Sequence, residues 1–148
     1  MAENNVTGRP PFYKTAEEMQ VVIEQYFEKC KGTFLIDDTT GKYFVDKNGM
    51  PVVINSRPPT ITGLALALGF ASRQALLNYQ EKDEFNDTIT RAKTRVEQYA
   101  EERLFDKDGA NGAKFSLSNN FKGWADKQKI EADVNSVSIN IELVDDEE

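Results

Sequence analysis

Histidine is absent from this chain, and cysteine occurs once, as Cys30. Without an imidazole there is no base for a Ser–His or Cys–His nucleophile. One cysteine can form no internal disulfide, and with no histidine it cannot assemble a Cys/His zinc site. Long apolar runs are missing as well. The longest near-apolar stretch, residues 63–71, is far short of the roughly 20 residues that cross a bilayer. The N-terminal "MAENNVTGRPPF" lacks the apolar centre of a secretory signal. No GxxxxGK[ST] loop is present, because "GTFLIDDTTGK" has glycines without the spacing or the following Ser/Thr. There is no GxSxG elbow and no EF-hand loop. The acid pairs Glu17-Glu18, Asp37-Asp38 and Glu101-Glu102 read as solvated faces. These absences predict a soluble, intracellular protein that is not an enzyme and takes no metal and no cofactor.

What is present is a 148-residue chain with 39% hydrophobic and 29% charged residues and a formal charge of -7. That length suits one domain with a real core, or a small domain with arms. Residues 1–13 read as a flexible arm broken by Gly8, Pro10 and Pro11. Thr15 with Glu18 is a capping-box signature, and Met19, Val22, Ile23, Tyr26, Phe27 and Cys30 follow at helical spacing. A helix is predicted over about 16–30, with Cys30 as a small buried hydrophobe. Residues 33–57 turn β-rich in "TFLID", "KYFVD" and "MPVVIN", and Asn48-Gly49 signals a turn. They predict a hairpin or meander inserted between helices.

Thr60 or Thr62 is expected to cap a second helix over 63–68, and Ser72 a third over about 73–81. Leu64, Leu68, Phe70, Leu76 and Tyr79 form the inner face of this pair, and Gly69 ends its first helix. Arg73, Gln74 and Asn78 then face outward near the start of the second member. In a helix-turn-helix that is where base edges are met, by these side-chain types. Thr62 and Ser72 suit phosphate contact, and Lys82 extends the same surface. The competing reading is an ordinary αα corner. A long fourth helix follows from Phe85, Ile89, Ala92, Val96, Tyr99 and Ala100. Its Arg91, Lys93 and Arg95 in "RAKTR" are a second candidate DNA surface. Phe85, Ile89, Val96 and Tyr99 are candidates for subunit contact, or for packing inside one chain. After "DKDGANG" a short helix "AKFSLSNNF" is predicted. Near the C-terminus Val137, Ile139, Ile141 and Leu143 alternate with polar residues, which predicts a strand able to pair in an oligomer before the acidic "VDDEE".

The order of "YKTAEEMQVVIEQYFEKC", "TITGLALALGFASRQALLNYQEKDEFNDTITRAKTRVEQYAEERL" and "NGAKFSLSNNFKGWADKQ" resembles the small terminase subunits of tailed double-stranded-DNA bacteriophages over about residues 12–130. The resemblance implies a non-catalytic, ring-forming subunit that recognises the packaging start site and recruits and regulates the large terminase ATPase/nuclease in the host cytoplasm. A ring would multiply weak DNA faces into tight binding, which reconciles the charge of -7 with DNA as a partner. The expected organisation is mainly α. It comprises an arm over 1–13, a helix-turn-helix domain over 14–83 with the β insertion 33–57, a helical oligomerisation domain over 84–130, and a strand with acidic tail over 131–148. The tail is the expected handle for the large subunit. Two alternatives stay open: a dimeric helix-turn-helix transcriptional regulator on a palindrome, and an adaptor that binds only protein.

Overall fold

The computed structural model describes residues 13–125. The arm over 1–12, the end of the "GWADKQ" stretch, and the tail with Val137, Ile139, Ile141 and Leu143 lie outside the described residues. Within them the chain is mainly helical, with five helices and one two-stranded sheet. It divides into two compact units, Met1–Tyr99 and Ala100–Glu148.

The first unit begins with α1, Ala16–Cys30. Thr15 Oγ1 accepts the Glu18 amide at 3.1 Å, and Glu18 Oε2 accepts the Lys14 amide at 3.0 Å. Amides at the helix start thereby gain acceptors in a capping-box-like exchange. Met19, Ile23, Phe27 and Cys30 are buried along one stripe.

The insertion follows as a three-pass meander. Strand β1, Thr33–Phe34, pairs antiparallel with β2, Val53–Ile54, and isolated bridges join Ile36 to Tyr43 and Val45 to Pro51. The regular strands are two residues each because three passes close on one another. Leu35 N donates to Val52 O at 2.8 Å, Val52 N to Phe44 O at 2.9 Å, and Phe44 N to Leu35 O at 3.0 Å. Asn48-Gly49 does form the second turn, with Gly49 at φ +80° and its amide on Asp46 O at 3.0 Å. The insertion leaves and rejoins the helices at one place, where the Arg57 amide donates to Cys30 O at 2.9 Å. Gly32 sits there at φ +84°, and a Cβ on it would lie 2.5 Å from Ile54 O. Only glycine fits that conformation and that gap.

Helix α2 runs Ile61–Ala67 and α3 runs Arg73–Gln80. Thr60 rather than Thr62 caps α2, accepting the Gly63 amide at 2.9 Å, so Thr62 lies inside the first turn. Gly69, at φ +92°, ends α2. The Phe70 amide returns to Ala65 O and the Gly69 amide to Leu66 O, which satisfies two orphaned carbonyls in a Schellman arrangement. Helix α1 packs on α2, and α2 on α3. Gly63 allows the first contact, because a Cβ there would collide with the Tyr26 hydroxyl. That hydroxyl accepts the Thr60 amide at 2.8 Å and donates to Thr60 O at 3.2 Å.

Helix α4, Asp83–Arg103, crosses the division between the units. Phe85, Ile89, Ala92 and Val96 are buried. In the second unit, α5 runs Ala110–Asn120, three residues earlier than "AKFSLSNNF" implies. Its N-cap Gly109 has no side chain to bond the first turn. Ala113 and Leu117 are buried, whereas Phe105 and Phe115 are 88% and 73% exposed.

Candidate nucleic-acid interface

The α2–α3 pair is held from three sides. Leu64, Ala65, Leu68, Phe70, Leu76 and Tyr79 are all buried, as the inner-face reading requires. Tyr79 is packed by Phe70 at 5.1 Å and Phe85 at 4.9 Å between ring centroids. Tyr13 adds a strap. Its hydroxyl donates to Leu68 O at 2.7 Å, at the C-terminal end of α2, and its amide donates to the Tyr79 hydroxyl at 3.0 Å. Burial, and then the neighbouring Tyr79, push the Tyr13 hydroxyl above its ordinary pKa, so it stays a donor. The arm assigned to 1–13 is therefore anchored at its last residue.

This packing fixes which side chains face out. Ser72 caps α3 by accepting the Ala75 amide at 3.1 Å. Arg73, Gln74 and Asn78 are exposed, and Gln74 Nε2 donates to Asn78 Oδ1 at 2.9 Å. Thr62 and Ser72 are exposed as well. Lys82 is exposed, with its ammonium 4.4 Å from the centre of the Tyr79 ring, which holds it at the end of the α3 surface. Short polar groups and two cations thus share a surface on rigid helices.

The second cationic group is arranged differently. Arg91 stays outside, paired to Asp87 at 3.0 Å with 78% of its side chain exposed. Lys93 is half-buried and donates to Gln80 Oε1 at 3.0 Å, tying the end of α3 to α4. Arg95 bonds Glu24 at 2.8 Å and lies 3.9 Å over the Phe27 ring, so it joins α4 to α1. That hydrogen bond holds the Glu24 carboxyl below its usual range. Of the three cations in "RAKTR", Arg91 makes its ion pair within α4, while Lys93 and Arg95 reach other helices. The expected subunit contacts on α4 also resolve differently. Phe85, Ile89 and Val96 are 3%, 0% and 4% exposed inside one chain, and Tyr99 is half-buried. These three belong to the core of the protomer, because the apolar stripe of α4 is covered by its own chain.

One signal was readable in the sequence but hidden by the net charge. The chain has 25 acidic residues, yet no aspartate or glutamate occurs anywhere in residues 47–80. That window contains the whole helix pair, and its charges are Lys47, Arg57 and Arg73. Within α2 and α3 themselves the only charged side chain is therefore Arg73, and the first acid after them is Glu81. A polyanion approaching this surface meets no fixed negative charge from the helices themselves. Among the described residues no group of acids and cysteine is placed to hold a metal ion. No described helix is long and apolar enough to cross a membrane.

The sequence model of the family described as DNA-packaging protein gp3 matches residues 8–130. No curated protein and no solved structure matches the chain.

Proposed function

This chain belongs to the DNA-packaging protein gp3 family, so its role lies in packaging DNA, and we propose that it fills that role as a non-catalytic small terminase subunit acting in the host cytoplasm. In this reading copies of the chain form a ring, bind the packaging site of the viral genome through a helix-turn-helix made of α2 and α3, and recruit the large terminase subunit. Arg73 and Gln74 read base edges, Thr62 and Ser72 lie against phosphates, and Asn78, Lys82 and Arg91 extend the contact. The observation that carries the reading is the acid-free window, which presents an outward polar face on a pair of capped, packed helices. A ring raises the strength of such faces by avidity.

The test is the affinity of Arg73→Ala/Gln74→Ala for packaging-site DNA, measured by fluorescence anisotropy at fixed salt. Each base-reading side chain is worth about 1–3 kcal/mol, so the double variant is expected to bind at least about tenfold more weakly. Equal affinity would refute the assignment. The acidic tail is proposed as the handle for the large subunit. Removal of residues 131–148 is then expected to leave DNA affinity intact and abolish stimulation of the large-subunit ATPase; undiminished stimulation would overturn that part.

A further inference from the structure

Helix α3 carries two side-chain amides on its exposed face, Gln74 and Asn78, one turn apart. Gln74 Nε2 donates to Asn78 Oδ1 at 2.9 Å. The helix does not need this bond to hold its place. Ser72 caps it, Leu76 and Tyr79 anchor it in the core, and the Tyr13 amide bonds the Tyr79 hydroxyl. It also has no acid of its own to take the Gln74 hydrogens instead. The effect of the pair therefore falls on what Gln74 can offer a ligand.

A free carboxamide offers two N–H donors and one acceptor oxygen, and it can meet a purine in two ways. The oxygen with the N–H beside it matches adenine, whose N6 amino group donates and whose N7 accepts. The two N–H groups together match guanine, whose O6 and N7 both accept. A glutamine with no partner is open to both. With one hydrogen given to Asn78, only one N–H is left, and the second way is closed. The oxygen and the remaining N–H keep the adenine pattern. Gln80, at the other end of the same helix, shows the contrast. Its Nε2 donates to Thr90 Oγ1 at 2.9 Å and its Oε1 accepts Lys93 Nζ at 3.0 Å, so both ends of that amide are engaged inside the chain.

We propose that Asn78 is a positioning residue that makes Gln74 a reader of adenine, and not of guanine, in the major groove. Asn78 takes the amide hydrogen that points away from Oε1. Gln74 then presents Oε1 to N6 and its other hydrogen to N7 of one adenine. The proposal rests on the reading of α2 and α3 as a helix-turn-helix, and adds to it the base that one position selects. Asn78 enters the contact through Gln74, so its removal changes which base is chosen more than how tightly DNA is held.

The experiment selects duplexes from a random-sequence pool on the full wild-type chain at fixed salt. Affinities of single-base variants of the enriched duplex are then measured by fluorescence anisotropy, with circular dichroism to confirm that each protein variant is folded. The base pair whose preference disappears in Gln74→Ala is the one Gln74 reads. Adenine is expected there, favoured over guanine by about tenfold or more. Asn78→Ala is expected to cut that ratio to about threefold or less, because Gln74 regains its second donor. Asn78→Asp keeps an acceptor for Gln74 Nε2 but loses both side-chain donors. It is expected to retain the adenine preference while its charge weakens binding to every duplex alike. Arg73→Ala is expected to weaken binding without moving the ratio at that position. Loss of the preference in Asn78→Asp as well as in Asn78→Ala would assign the base contact to the Asn78 amide itself and overturn the positioning role. A ratio unchanged in Asn78→Ala, a base other than adenine at the position Gln74 reads, or no position altered by Gln74→Ala overturns the proposal while leaving DNA recognition in place. A wild-type chain that enriches no sequence removes the helix-turn-helix reading itself, and this proposal with it.

Discussion

Gly63→Ala is the sharpest test of how the helix pair is positioned. The added Cβ would meet the Tyr26 hydroxyl and lie 2.8 Å from Thr60 Oγ1. Displacing the hydroxyl breaks its two bonds to the Thr60 backbone, each worth about 1 kcal/mol. Crowding Thr60 Oγ1 disturbs the α2 cap, worth about another 1 kcal/mol. Replacing glycine by alanine inside a helix returns about 1 kcal/mol. The net loss is about 2 kcal/mol, which corresponds to a drop of about 10 °C in Tm for a domain of this size. Urea unfolding followed by circular dichroism measures it directly. Tyr26→Phe removes the oxygen that the Cβ strikes together with both of its bonds, so Gly63→Ala is expected to cost about 2 kcal/mol less in that background. A Gly63→Ala variant as stable as the wild type, or one equally costly with and without the Tyr26 hydroxyl, would refute the close-approach argument.

Two further outcomes follow from the same geometry. Gly32→Ala places a Cβ against the backbone at Ile54 and Ser56 and forces a side chain to φ +84°, so it is expected to cost more than about 2 kcal/mol. The loss should appear first as faster hydrogen exchange at the amides of Leu35, Phe44 and Val52, with α1 little changed; protected amides there would argue against it. Glu24→Gln removes the bond to Arg95. Because the Glu24 carboxyl is held below its ordinary pKa in the folded chain, its contribution is present above the unfolded value and fades as pH falls through the lowered one. The pair is partly exposed, so the variant should be less stable by under about 1 kcal/mol at pH 7, with the difference vanishing in acid once the carboxyl is protonated in the folded chain as well. A difference that persists in acid would assign it to packing instead.

Local signals in the sequence carried far. Thr15 with Glu18, Gly69 before Ser72, and Asn48 before Gly49 each satisfy backbone groups within a few residues, and each lies where its spacing implies. What the sequence could not assign was the partner of a face. The stripe Phe85, Ile89, Val96 is equally apolar whether its own chain or a neighbour covers it, and its burial here is a tertiary fact. Arg95 and Lys93 look like solvent cations by periodicity, yet Glu24 and Phe27 engage Arg95 from far away in sequence, and Gln80 engages Lys93 from the end of the preceding helix. Tyr13 was unreadable because its partners, Leu68 and Tyr79, lie more than fifty residues on. The positive bias of the helix pair was legible, but only by asking where acids are missing.

The joining of residues 30 and 57 by one backbone hydrogen bond has a consequence for how the chain can change. The helices meet at that junction independently of the turns of the meander, so the intervening segment is expected to behave as an exchangeable cassette. Lengthening, trimming or replacing residues 33–56 should leave the Tyr26–Thr60 contact standing.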